Sequence, residues 1–95
     1  MQHTIDREMS VTHDEFFRLL PYALKKRNYK IVNTIVLVDL KPGRLKISLS
    51  PQSQKAIGSL LLPTIHVSFD FKDCTEKMQE DFFEDFDLAY QKGGG

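Results

Sequence analysis

The sequence has a single cysteine and no long apolar run, and these two absences exclude several classes of protein. Cys74 cannot form an internal disulfide, whereas small secreted domains usually depend on several, so we expect a reducing, cytoplasmic location. The longest apolar runs, residues 35–38 and 60–62, are much shorter than the ~20 residues that span a bilayer. Residues 1–10 lack the basic and apolar segments of a signal peptide. The sequence therefore predicts neither an integral membrane protein nor a secreted one.

A net charge is absent as well. Thirteen Lys and Arg balance thirteen Asp and Glu, so no overall excess favours nucleic acid or an acidic mimic of it. Hydrophobic residues make up 41% of the chain, which is enough to build a core and excludes wholesale disorder. The 95 residues match the size of one domain, so we expect residues 1–95 to fold as a single unit.

An N-terminal helix is predicted from a capping signal and a periodic apolar stripe. Thr12 and Glu15 have the spacing of a capping box, and the apolar positions that follow recur at intervals of three and four residues. Pro21 lies inside this pattern, where we expect a kink or two abutting short helices. The helix should end near Asn28.

A C-terminal helix is predicted in the same way. Asp73 or Thr75 is expected to cap it, and Met78, Phe82, Phe83, Phe86 and Tyr90 form its apolar stripe. Gly93–Gly95 should end the helix and form a flexible tail.

The segment between the helices is rich in strand signals. Residues 29–40 carry dense β-branched side chains, and residues 45–50 alternate apolar and polar positions after a turn at Pro42 and Gly43. Residues 56–62 and 64–71 predict further strand. Pro63 lies between them, so either two strands meet there or one long strand is broken at an edge, bulge or turn.

Together these elements predict an α+β two-layer sandwich. We expect an antiparallel sheet of three to four strands between the two helices in sequence, with both helices on one sheet face. Residues 1–11 form an N-terminal arm that could supply an extra strand.

Aliphatic residues in the strands exceed what two amphipathic helices can cover, which predicts an interaction face on the other side of the sheet. That face would need a cover, namely the N-terminal arm, a second copy of the chain or a partner protein. We therefore expect a non-enzymatic accessory protein that self-associates, as a homo-oligomer, or binds another protein. The candidate residues are Val36, Val38, Leu40 and Leu61.

Charge is segregated along the chain, which raises a second hypothesis. Residues 18–46 contain eight Lys and Arg and one Asp, whereas residues 70–95 contain eight Asp and Glu and three Lys. The basic segment could bind nucleic acid or another polyanion, although solvated faces that balance each other explain the same pattern. The candidate contacts are Lys25, Lys26, Arg27, Lys30, Arg44 and Lys46.

No catalytic, cofactor or metal signature accompanies these features. Asp73 and Glu76 flank Cys74 and disfavour its thiolate, so an inert thiol is expected. The three histidines are scattered without the close spacing of metal ligands. We therefore expect no enzyme activity, no cofactor and no metal site.

Overall fold

A computed structural model describes residues 2–92, with side chains described for residues 3–91. It has two helices and six strands, which confirms an α+β fold. The predicted tail, Gly93–Gly95, lies outside the described residues. In chain order the elements are β1 (Gln2–Met9), α1 (His13–Leu24), β2 (Asn28–Val32), β3 (Ile35–Asp39), β4 (Arg44–Leu49), β5 (Ser53–Ile57), β6 (Leu60–Lys72) and α2 (Glu76–Lys92).

The strands form one antiparallel sheet in the order β1-β6-β4-β3-β2, and β5 pairs with the first part of β6. The predicted count of three to four strands is therefore wrong. The N-terminal arm does supply a strand, because all of β1 pairs with residues 65–72 of β6. The count is higher because residues 29–40 form two strands and residues 53–62 form the greater part of a further hairpin, each divided by a two-residue turn.

Two short turns divide segments that the sequence pattern predicts as single strands. Asn33 and Thr34 form a two-residue turn between β2 and β3, and Asn33 adopts a φ of 56°. Gly58 and Ser59 do the same between β5 and β6, with Gly58 at a φ of 61°. A residue at positive φ is what tight hairpin turns need, and Asn and Gly supply it at low cost.

Pro63 lies inside β6, which runs without interruption from Leu60 to Lys72. Its partner on β5 is Gln54, whereas the pairing of β1 with β6 stops at Ile65. Pro63 therefore occupies a stretch where β6 has one neighbouring strand, and a missing N–H is tolerated at such an edge.

One face of the sheet shares a single core with both helices. Alternate residues of β6, from Ile65 to Phe71, are completely buried, and so are Val36 of β3 and Ile47 of β4. Aromatic rings from both layers meet there: Phe69 contacts Phe82, Phe83 and Phe86 edge to face or nearly so. The prediction that both helices cover one face of the sheet agrees with this core, which joins α1, α2 and one set of strand positions.

The helix boundaries follow local hydrogen bonds. The backbone N–H of Glu15 donates to Thr12 Oγ1 at 3.0 Å, so the predicted cap of α1 is confirmed. The helix continues through Pro21 as one element and ends at Leu24, not near Asn28, because Lys25 takes a φ of 54° and β2 begins at Asn28. Two abutting short helices are therefore not formed.

The start of α2 is capped by Thr75. Its Oγ1 accepts a hydrogen bond from the N–H of Met78 at 3.2 Å, which identifies Thr75 as the cap of the two predicted alternatives. At the other end of α2, the hydroxyl of Tyr90 donates to the carbonyl oxygen of Phe16 at 2.6 Å and joins the two helices. Burial raises the pKa of Tyr90, so this hydroxyl stays a donor.

Candidate functional site

The predicted interaction face is not an exposed surface. Val36 and Val38 point toward the helices and are 0% and 2% exposed, and Leu40 is partly buried against the same core. β3 is apolar at every position from Ile35 to Val38, so its sequence does not say which alternate set is buried. The prediction is wrong for Val36, Val38 and Leu40, and only Leu61, at 64% exposure, lies on the surface.

The uncovered face of the sheet is largely polar. Its side chains are those at the positions between the buried ones, and the register aligns them in rows across the strands. One row places Asp70, Lys46, Leu37 and Lys30 side by side. Val32 and Leu37, each close to half exposed, are its main apolar side chains. This face is called the open face below.

Two of the predicted polyanion contacts stabilise the fold instead. Lys25 Nζ and Arg27 Nη1 lie 3.1 and 3.0 Å from the two oxygens of Asp85 on α2. Arg27 also lies over the Phe82 ring, 5.7 Å from its centroid. Desolvation opposes ionisation of Asp85, but the hydrogen bonds and charges of Lys25 and Arg27 outweigh it and lower its pKa. These two cations therefore hold the end of α1 against α2.

Three other predicted contacts come together on the open face. Lys30, Arg44 and Lys46 line one shallow depression there, which also contains Leu37. The depression further contains Lys72, which sequence reasoning missed, and the carboxylates of Asp39, Asp70 and Asp73. The register explains the omission, because Lys72 lies opposite Arg44 only once β4 and β6 are paired. Lys26, the sixth predicted contact, is exposed but does not line the depression.

The four cations of the depression differ from those that stabilise the fold. Over the described side chains, residues 3–91, Lys30, Arg44, Lys46 and Lys72 take part in no ion pair. In contrast, Arg7, Lys25, Arg27, Lys55 and Lys77 are each paired with a carboxylate. Four of the cations without an ion pair therefore surround one depression, whereas Arg18, Lys26 and Lys41, which also lack one in this range, do not line it.

The β5–β6 hairpin, residues 53–64, extends the sheet beyond β1 and β4. Every residue from Pro51 to Leu61 is exposed. Its tip, residues 56–62, has no charged residue and presents Ile57, Leu60 and Leu61 at 52%, 62% and 64% exposure. The hairpin is connected to the rest of the sheet by an ion pair of 2.9 Å between Lys55 Nζ and Glu8 Oε1, which lowers the pKa of Glu8.

A groove runs along the opposite edge of the sheet, between β1 and α2. Its described walls include His3 and Ile5 from β1 and Phe83 from α2, with carboxylates of α2 beside them. The Arg7 guanidinium lies 4.1 Å from the centroid of the Phe83 ring and forms an ion pair with Asp87. Arg7 therefore fixes α2 against the edge strand.

Cys74 and the imidazole of His13 each contact a backbone carbonyl oxygen. Cys74 Sγ lies 3.3 Å from the carbonyl oxygen of Lys72, and burial raises the pKa of the thiol. His13 Nε2 lies 2.8 Å from the carbonyl oxygen of Ser50. Within residues 2–92, no three His, Cys, Asp or Glu side chains are grouped in a way that could hold a metal ion.

Comparisons with known proteins do not assign the chain to a family. A scan against protein-family models finds no match, and a search of curated proteins finds none either. In the described part of the chain, neither helix has the length and apolar character required to cross a membrane.

Proposed function

We propose that the protein is a non-enzymatic, cytoplasmic accessory module whose copies associate through the tip of the β5–β6 hairpin. The observation that carries this proposal is the uncharged tip, which holds three aliphatic side chains that are each more than half exposed. Exposed aliphatic side chains gathered in one place are typical of interaction sites.

The distribution of charge favours a second copy as the occupant. A two-fold interface places one patch against the same patch of its copy, so a patch of like charges repels itself. The open face is rich in cations and the outer side of α2 is rich in carboxylates. The hairpin tip has no charge, so it can face its own copy without repulsion.

The hairpin also gains from being covered. A two-stranded ribbon is marginally stable in water unless a further layer packs on it. Ile57 and Leu60 lie directly opposite each other, and Leu61 lies on the other side of the ribbon opposite Ala56. Two hairpins that pack face to face would bury the aliphatic side chains on the facing side of each tip, either Ile57 with Leu60 or Leu61.

The test is the molar mass in solution, measured by light scattering after size-exclusion chromatography over a wide concentration range. We expect a concentration-dependent dimer for the wild type and a monomer for the double variant Leu60→Lys with Leu61→Lys. A matched control replaces two exposed apolar residues elsewhere, Tyr22→Lys with Leu88→Lys, and should still dimerise. A wild type that remains monomeric, or a control that loses the dimer equally, would contradict the proposal.

A second candidate function is binding of a polyanion on the open face. It is favoured by the concentration of unpaired cations, Lys30, Arg44, Lys46 and Lys72, around one depression. The three carboxylates in the same depression oppose it. For this reason it ranks below self-association.

Retention on immobilised heparin tests the second candidate. We expect Lys46→Glu to elute at lower salt than the wild type, because binding by phosphate or sulfate contacts falls as cations are removed. Lys26→Glu makes the same change of charge outside the depression and should elute close to the wild type. Passage of the wild type through the column at low salt, or equal shifts for both variants, would dismiss polyanion binding at this site.

A further inference from the structure

Strand β1 is an edge strand of unusual length for this sheet. All eight of its residues pair with β6 on one side, and no strand of residues 2–92 pairs with its other side. Backbone N–H and C=O groups on such an edge are a template for a further strand. The opposite edge, β2, has five residues.

Helix α2 lies beside this edge and runs in the same direction as β1. Near the start of both elements, His3 lines the groove together with Cys74 and Glu76. Further along, Arg7 of β1 pairs with Asp87 of α2. Five residues of strand and twelve residues of helix both cover about 13–17 Å, so the groove between them follows the strand edge and suits an extended chain.

The floor of the groove is apolar and its helix wall is acidic. Ile5 and Phe83 are partly buried within it. Glu76, Glu80, Glu84 and Asp87 recur along the helix at intervals of three or four residues, which places them on one side of α2. The described lining contains no Lys or Arg, and Arg7, on the same strand as His3 and Ile5, is paired with Asp87.

We propose that this groove binds an extended, basic segment of a partner protein, which adds to β1 as an antiparallel or parallel strand. The backbone of the segment pairs with the free edge of β1, and its Lys or Arg side chains meet the carboxylates of α2. The aliphatic stems of these Lys or Arg side chains contact Ile5 and Phe83, and the residues between them point to the other face of the sheet. This inference is independent of the association through the hairpin, because the two surfaces belong to different edges of the sheet.

A second copy of the chain is a poor occupant of the same edge. If two β1 strands paired about a two-fold axis with both helix layers on one side, their α2 helices would face each other across the junction. The acidic walls would then oppose each other, and like charges at an interface are unfavourable. A basic partner removes this repulsion.

The test uses the full-length protein and synthetic peptides with blocked ends. The probe alternates Lys and Val over eight residues, one control replaces each Lys with Glu, and another keeps the charges but carries N-methyl groups on alternate backbone amides. We expect binding of the Lys-Val peptide in a fluorescence anisotropy titration, with at least a tenfold weaker affinity for both controls. Amide hydrogen exchange should slow at β1 when the Lys-Val peptide is present, and not at β2 or β5.

Two variants on adjacent residues of α2 sharpen the test. Glu80→Gln removes a carboxylate of the groove and should weaken binding about two- to fivefold, as expected for an exposed ion pair. Asp81→Asn removes a neighbouring carboxylate outside the described lining and should leave the affinity unchanged.

Several outcomes would overturn the proposal. Equal binding of the Lys and Glu peptides would show that the carboxylates of α2 do not contribute. Equal binding of the N-methylated peptide would show that the peptide does not pair with β1 through backbone hydrogen bonds. Protection at β2 or β5 would place the peptide elsewhere. Protection of β1 that rises with protein concentration alone would assign the edge to a second copy.

Discussion

Strand β6 passes through two environments, and its two parts behave differently although both are rich in apolar residues. From Ile65 to Phe71 it lies under both helices, and every second side chain is completely buried. From Leu60 to Thr64 it is paired with β5 alone, and Leu60 and Leu61 are more than half exposed. The comparison shows that burial in this chain depends on the reach of the helices, not on the apolar content of the strand. What the helices do not reach becomes a surface available for binding.

The largest expected loss of stability comes from a substitution in the buried part of β6, and a substitution in its exposed part provides the comparison. Ile65→Ala leaves a cavity in the shared core and should lower the free energy of unfolding by about 2–5 kcal/mol. Leu61→Ala, in the same strand, should change it by less than about 0.5 kcal/mol, as for most surface positions. Urea denaturation at a protein concentration below that of association measures both. Similar losses for the two variants would mean that the hairpin belongs to the cooperative core.

A smaller loss of stability is expected when either of two glycines is replaced, Gly43 beside the packed end of β6 or Gly58 in the exposed hairpin. A Cβ on Gly43 would lie 2.6 Å from the carbonyl oxygen of Asp73 and 2.8 Å from that of Lys72, and would also collide with Cys74 Sγ. Because those oxygens belong to the backbone, Gly43→Ala should lower the free energy of unfolding by about 2–3 kcal/mol.

Gly58, in the hairpin turn, has open space around the corresponding position but adopts a φ of 61°. Gly58→Ala should therefore cost only about 1 kcal/mol, through backbone strain. Gly58→Asn should be less destabilising than Gly58→Ala, since Asn tolerates positive φ. Gly43→Asn should be more destabilising than Gly43→Ala, because its side chain is larger. Thermal or urea unfolding of the four variants checks this, and an improvement from Asn at position 43 would show that the turn is not crowded.

The smallest expected loss of stability comes from breaking the ion pairs that hold the end of α1 against α2. The lowered pKa of Asp85 means that its stabilising effect is present above its unfolded pKa, ~3.9, and is lost as the pH falls through the lower folded pKa. Asp85→Asn should lower stability by about 1 kcal/mol at neutral pH and by progressively less in acid. Asp81→Asn is the control, because Asp81 pairs only with the largely exposed Lys77. A pH profile parallel to that of the wild type would show that Asp85 does not contribute.

Much of the packed layer could be predicted from the sequence. The alternation of Leu45, Ile47 and Leu49 and the apolar stripe of α2 identify the buried positions, because each has one apolar side only. Capping by Thr12 was predictable for the same local reason, since the cap and its partner are three residues apart.

The open surfaces were less predictable, because they depend on contacts between distant residues. β3 is apolar on both sides, so pairing with β4 and β2 decides that Val36 is buried and Leu37 is exposed. Which basic residues form ion pairs within the fold depends on Asp85, which is 58 positions from Arg27 in sequence. The groove between β1 and α2 needs both ends of the fold in place, and no local pattern identifies it.

The pairing of β1 with β6 has a consequence for synthesis. Residue 2 aligns with residue 72 and residue 9 with residue 65, so β1 is synthesised well before β6 and stays without this partner until β6 has been made. Contacts so distant in sequence slow folding, because a long loop must close before they form. The middle of the sheet therefore forms late in translation, and until then β1 has unpaired backbone N–H and C=O groups along both of its edges.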